Sequence, residues 1–187
     1  MANIAINKAQ IDWLTVTSFE MDLGWPLLES IYDELESSKQ TLDAKRMQYL
    51  GKASHFENGD LFIGQAEQNG RFHLMLQCSG DVSELVYEKL RYGLSEGWLR
   101  CRRIDLQITI LQPEDWSQWR FFNRVKRSGR IPGWHESHAQ DGTELATVYV
   151  GSRKSNKLLR VYQKWAESLL LLRYEVEYKG RKAESIG

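Results

Sequence analysis

Apolar residues recur along this chain with two distinct periods, and the switches between them lay out its elements. Ile11-Asp-Trp-Leu-Thr-Val-Thr17 reads as a strand on which Asp12 shares a side with Leu14 and Val16; a carboxylate so placed needs a partner if it is buried. Gly24 to Leu35 changes to helical spacing, with Leu27, Ile31 and Leu35 as the apolar stripe and Pro26 in the first turn. Met47–Phe56, Leu61–Ala66 and Arg71–Cys78 then read as three antiparallel strands joined at Asn58-Gly59 and Asn69-Gly70, the dipeptide that suits a tight hairpin turn. Ser79-Gly80-Asp81 opens a second helix that runs to Leu94, faces Val82, Leu85, Val86 and Leu90 inward, and ends at Gly93 or Gly97.

The second half carries the sharper alternation. Trp98 to Ile110 is a long strand with Ile104, Leu106 and Ile108 on one face and Arg103, Asp105 and Gln107 on the other. Glu114 to Arg127 is a basic amphipathic helix bearing Trp116, Trp119, Phe121 and Phe122, and Ser128 to Gly142 reads as a glycine-rich polar loop, a candidate DNA-contacting arm. Thr147–Val150 and Leu158–Lys164 are strands around the Gly151-Ser152 turn. In the second of these Leu159, Val161 and Gln163 face one way, and Arg160, Tyr162 and Lys164 the other. Leu171 to Lys179 divides in the same manner, into Arg173, Glu175, Glu177 and Lys179 against Leu172, Tyr174, Val176 and Tyr178. The pattern as a whole predicts one α+β domain over residues 1–187, a central antiparallel sheet with helices on one face and a polar face on the other.

Composition narrows the class. The 187 residues are 42% hydrophobic and 27% charged, as expected of a globular chain. No apolar run approaches the roughly 20 residues that span a bilayer, and the N-terminus has no basic segment followed by an apolar one; the expectation is a cytoplasmic protein without a membrane partner. Cys78 and Cys101 suit reduced thiols better than a disulfide framework. Zero net charge conceals an asymmetry: residues 1–99 hold 8 Lys+Arg against 15 Asp+Glu, and residues 100–164 hold 13 against 6. Such a basic block suits a polyanion partner, or else pairs with acidic surface within the fold.

The candidate chemistry sits on the polar strand faces. Tyr162 is flanked by Arg160 and Lys164, cations that favour phenolate over phenol and can pair with phosphate oxygens. If the three charged strands adjoin, carboxylates, tyrosine and cations converge on one platform, which suits Mg²⁺ or Mn²⁺ and an in-line attack on a phosphodiester; the bland alternative is a solvated face of compensating charges. His73 is a further polar-face residue, more simply a hydrogen-bonded histidine. Trp134-His135-Glu136-Ser137-His138 has only two residues between its histidines, the wrong spacing for a zinc-protease helix. There is no P-loop, CxxC or dinucleotide fingerprint.

Ile11-Asp-Trp-Leu-Thr-Val-Thr, Arg103-Ile-Asp-Leu, Tyr149-Val-Gly-Ser-Arg-Lys-Ser with Leu159-Arg-Val-Tyr-Gln-Lys, and Arg173-Tyr-Glu-Val-Glu-Tyr-Lys, in this order over Gln10 to Arg181, resemble the replication initiation factors of rolling-circle plasmids and filamentous phages and the related relaxases of mobile elements. The resemblance implies a nicking-palm-like fold and a nicking endonuclease and strand transferase. Tyr162 matches the nucleophile that stays joined to the 5′ phosphate, with Tyr149 ranked second, and Arg160 and Lys164 would hold the scissile phosphate. Asp105, Glu175 and Glu177 match the acidic positions of a Mg²⁺ or Mn²⁺ site; Asp12, His73 and Gln77 are second-rank candidates. Arg124, Lys126, Arg127, Arg130, Arg153, Lys154 and Lys157 are the cations expected to meet DNA, either single-stranded or as a hairpin nick site. A host helicase, a polymerase and a second copy of the chain are further implied partners. Two departures stand out: Gln77 aligns where plasmid initiators carry glutamate, and the chain stops soon after its last motif, which suggests a compact version or an isolated catalytic domain. A relaxase would use the same chemistry, and a non-catalytic origin-binding protein would use only the basic segment.

Overall fold

Why these residues form these elements is clearest in the turns. Asn69 (φ 55°) and Gly70 (φ 70°) both adopt positive φ, the geometry whose twist matches that of a two-residue hairpin, and they join β4 (Gly59–Gln68) to β5 (Arg71–Ser79). The computed structural model describes residues 8–35, 41–46, 48–56, 59–130, 132–138, 144–166 and 169–186. Met47, Asn58 and residues 139–143 of the expected loop lie outside them. The fold is α+β, and the described residues divide into two compact units, one of residues 11–105 and 179–187, the other of residues 1–10 and 106–178.

The first unit carries the strand order β2-β3-β4-β5-β1-β6, where β1 is Ala9–Ser18, β2 Thr41–Arg46, β3 Tyr49–Phe56 and β6 Leu99–Leu111; the last residues of β6 belong to the other unit. The pairings β2/β3, β3/β4, β4/β5 and β5/β1 are antiparallel. Helices α1 (Met21–Leu35) and α2 (Asp81–Ser95) pack on β4 and β5. Between helices and sheet lie Leu28, Ile31, Val86 and Leu90 with Leu14, Leu61, Leu74 and Leu76, all fully or almost fully buried. Burial of each such side chain contributes roughly 1.5–3 kcal/mol. On the other face Tyr49, Ala53, Phe62, Ala66 and Met75 form a second, smaller apolar cluster. Gly51 is required here, because a Cβ would run into the Ile63 carbonyl oxygen of the neighbouring strand.

Several boundaries depart from expectation for local reasons. Helix α1 begins at Met21 rather than Gly24, so Pro26 lies inside it and not in its first turn. Ser18 Oγ accepts from the Glu20 N–H at 3.0 Å and Gly24 N–H donates to Glu20 O at 2.8 Å, so a helical turn closes before the proline is reached. Leu85 is half exposed rather than inward. Strand β2 is not predicted by the pattern, because its Thr-Leu-Asp-Ala-Lys-Arg sequence lacks a β-type alternation.

Cys78 and Cys101 are free and buried in this unit. Burial pushes each thiol up to about 12. Both should therefore stay unreactive toward a disulfide reagent at pH 8 until the protein opens, whereas denatured protein should titrate two thiols at once. Prompt modification of the native protein would contradict their placement. Because the folded-state thiols ionise later than unfolded ones, their stabilising contribution is complete below about pH 9 and is lost as pH rises toward about 12.

Candidate active site

The second unit is built on the strand order β6-β10-β9-β8-β7, where β7 is Pro132–His138, β8 Glu144–Val150, β9 Lys157–Ala166 and β10 Leu169–Lys179. The pairings β7/β8, β8/β9 and β9/β10 are antiparallel, and their registers align side chains in cross-strand rows. One row, Trp134–Val148–Val161–Tyr174, is apolar. Helix α3 (Gln118–Arg127) covers that side: Trp119 and Phe122 stack on each other and both meet Trp134 edge-on, while Trp116 meets Tyr174. The helix starts later than expected because Ser117 caps it, its side chain accepting from the Arg120 N–H.

Successive strand residues alternate faces, so the other side carries the rows Gly133–Tyr149–Arg160–Glu175 and His135–Thr147–Tyr162–Arg173. The two-faced reading of β9 and β10 is thus what the sheet displays. Strand β7 replaces the expected loop; it is polar in sequence, and its pairing with β8 and the seat of Trp134 beneath α3 account for it. The histidine motif lies on this strand, not on a helix.

Tyr162 is the hub of the polar side. Its hydroxyl donates to Glu175 Oε2 at 3.2 Å and accepts from Arg173 Nη1 at 3.5 Å. Arg173 is held from behind by donating its Nε–H to Thr109 Oγ1 at 3.1 Å. Arg160 Nη2 donates to Glu175 Oε1 at 2.6 Å and lies 3.5 Å from Glu177 Oε2. Both glutamates are nearly fully buried, at 5% and 6% exposure, and a buried carboxylate requires such partners. Lys164 occupies the next position on this face, across from Leu171, and is exposed. Arg173 was not picked out as a site residue from the sequence. The signal available was its position: in a β9–β10 hairpin of this register it stands directly across from Tyr162.

The residues implied for metal are distributed as follows. Glu175 and Glu177 share the strand face with Arg160 between them. Gln107, on the same side of β6 as Thr109, is buried, and its Oε1 has no hydrogen-bond partner among the described residues. These are hard oxygen donors, the kind Mg²⁺ and Mn²⁺ take, so the donor chemistry fits, while the arrangement seen pairs both carboxylates with Arg160. Among the described residues no group of three or more His, Cys, Asp or Glu is gathered to hold a metal ion. Asp105 belongs to the other unit and is held there by Arg103, at 2.9 Å to Oδ1 and 2.5 Å to Oδ2, with the guanidinium stacked over Trp13. Asp12, His73 and Gln77 are also in that unit. The Asp12 carbonyl accepts from Gly80, His73 packs edge-on against Phe19, and Gln77 lies across from Thr15 and Phe62.

The expected DNA-contacting cations separate into two groups. Arg124, Lys126 and Arg127 are exposed on α3 and, with Arg120 and Asn123, line a crevice of about 550 Å³; α3 covers the apolar side of the sheet, away from Tyr162. Arg130 is exposed beyond its end. Arg153 and Lys154 lie in the turn after Gly151, and Lys157 sits over the ring of Tyr178. No described helix is long and apolar enough to cross a membrane.

No protein-family model matches the chain, and no curated protein matches it in sequence. Among solved structures, DynU16 from the dynemicin biosynthetic locus aligns at a TM-score of only 0.25 with 13% identity over 92% of this chain and 88% of its own, too low to inform the fold. The rolling circle replication initiator protein from Geobacillus stearothermophilus aligns at a TM-score of 0.66 with 15% identity, over 96% of this chain and 77% of its own. The chain therefore shares the fold of a rolling-circle replication initiator.

Proposed function

We propose that this protein is a DNA nicking endonuclease and strand transferase that initiates rolling-circle replication. The observation that carries the reading is the Tyr162 hydroxyl held between the Glu175 carboxylate and the Arg173 guanidinium. In that setting Glu175 is placed to take the phenolic proton, and Arg173 to favour the phenolate that remains. Tyr162 Oη attacks the phosphorus of a phosphodiester and the bond from phosphorus to the 3′ oxygen breaks. That oxygen leaves and gains a proton as a free 3′ hydroxyl, and the 5′ phosphate stays on the tyrosine. Attack by another 3′ hydroxyl on this phosphotyrosine reverses the step and joins strands. Arg160 and Lys164 would pair with the phosphate oxygens as charge builds.

The divalent ion implied for such chemistry would be held by Glu175 and Glu177. When bound, the ion would polarise the phosphodiester. The fold shared with a replication initiator supports the reading, as do the cations of α3 and of the Gly151 turn, which suit DNA phosphates. Incubation with a labelled pool of single-stranded oligonucleotides, with Mn²⁺ or with chelator, should yield a metal-dependent covalent adduct that maps to the Tyr162 peptide. An adduct on Tyr149 would keep the reaction and move the nucleophile. Salt-sensitive DNA binding with no adduct on any oligonucleotide would indicate a binding protein instead.

A further inference from the structure

The polar rows continue past Tyr162 into a cavity that the nicking step does not use. It measures about 360 Å³ and is lined by Gly133, Trp134, His135, Tyr149, Gly151, Arg153 and Leu158. Its position relative to the nucleophile follows from register. Tyr149 stands across from Arg160, and His135 across from Thr147, which stands across from Tyr162. With strands about 4.8 Å apart, His135 lies two spacings, roughly 10 Å, from Tyr162, and Tyr149 lies at a diagonal of about 7–8 Å.

The lining has a definite chemical character. Gly151, at φ +110°, turns the chain out of β8. Ser152 steadies the turn, its Oγ accepting from Lys154 N–H at 3.1 Å and its carbonyl from Ser155 N–H at 2.9 Å. The turn brings the Arg153 guanidinium to 5.3 Å from the centre of the Tyr149 ring. Gly133 leaves the floor open, since a Cβ there would come within 3.3 Å of Tyr149. The polar side thus offers one cation, the Tyr149 ring and an exposed imidazole, with no carboxylate among the described lining residues, while the Trp134 side chain turns to the other side under α3. That set suits a ligand that is both anionic and flat, and the volume suits one small-molecule-sized group rather than a duplex.

We propose that this cavity is a subsite for the nucleotide adjoining the scissile phosphate, with Arg153 meeting that nucleotide's phosphate and Tyr149 and His135 receiving its base by stacking. The proposal rests on the nicking reading and extends it: a single strand with one base drawn into the cavity would lay its next phosphate near Tyr162. Aromatic platforms beside cations are the general means of holding single strands without reading a duplex.

The test uses the full chain carrying Tyr162→Phe, so that equilibrium binding is read without covalent trapping, and a fluorescent single-stranded 12-mer of randomised sequence. Tyr149→Leu should weaken binding by about 5- to 150-fold with little change in salt dependence. Arg153→Gln should lower the slope of log affinity against log salt by about 0.7. Tyr149→Phe, which keeps the ring, should bind as the parent does and so separates a lost platform from a lost fold. Oligonucleotides carrying 5-iododeoxyuridine should cross-link on irradiation to the Tyr149 or His135 peptide. Affinities within twofold of the parent, with cross-links confined to other segments, overturn the subsite, as does failure to bind single strands at all. An adduct on Tyr162 in the wild-type protein without cross-links in the cavity also overturns the subsite and leaves nicking standing. Cross-links in the cavity with no adduct in any condition keep the single-strand site and remove the nicking reading.

Discussion

Tyr162→Phe is expected to abolish covalent attachment to DNA while leaving the fold and DNA binding in place. The substitution removes one oxygen from a half-buried ring. It removes the contacts to Glu175 Oε2 and Arg173 Nη1. Glu175 keeps its stronger 2.6 Å bond from Arg160, and Arg173 keeps Thr109, so no buried charge is left without a partner and the stability change should stay near 1 kcal/mol. Loss of a nucleophile, by contrast, commonly costs 10⁴-fold or more in rate, roughly. Nicking of a labelled strand and its affinity, measured on the same preparations, would separate these effects. Nicking by the phenylalanine variant at more than about a hundredth of the wild-type rate would require another nucleophile, and Tyr149 would be the first to examine.

Arg160→Leu should have the largest effect on stability. Arg160 contacts both Glu175 and Glu177, each nearly fully buried, and its removal takes the cation they share away from two buried carboxylates. Breaking a buried pair from one side costs about 3 kcal/mol or more, which for a chain of this size lowers Tm by roughly 6–12 °C. The double variant Arg160→Leu/Glu175→Gln should recover a good part of that loss, because a neutral amide no longer needs the guanidinium. Thermal unfolding of the two single variants and the double variant gives the coupling directly. A single variant that melts within 2 °C of wild type would mean that Arg160 does not hold the glutamates in solution.

The sequence displays the faces of this site more readily than its connections. Arg160 and Tyr162 alternate with Leu159 and Val161, and a period of two is legible wherever one face is apolar; the same holds for Arg173, Glu175 and Glu177. Which strand stands beside which is decided by contacts far apart in the chain, so the meeting of Tyr162 with Arg173 and Glu175 needed the register. The pairing of both glutamates with Arg160 was likewise hidden, because spacing along a strand does not tell whether a carboxylate faces a cation or an open coordination position. Strand β7 was missed for a different reason. Pro-Gly-Trp-His-Glu-Ser-His has little strand propensity of its own, and its conformation comes from β8 on one side and the aromatic cluster of α3 above. The strand signals around Asn69-Gly70 and Gly151 were local, and these turns are where expected.

The cross-strand rows make the site a matter of odd and even. Tyr162 faces Glu175 and Arg173 because β9 and β10 are paired at one register, and a shift of one residue in either strand would turn its whole charged face toward the aromatics of α3 and its valines toward the glutamates. A shift of two would restore the faces but set Tyr162 across from a different partner. Insertions and deletions in the connection between these strands are therefore harmless only if they bulge outward and leave the ladder untouched. Length variation is better absorbed in the turn after Gly151, where residues 152 to 156 are mostly exposed and a change of loop size need not disturb the count between Tyr162 and Glu175.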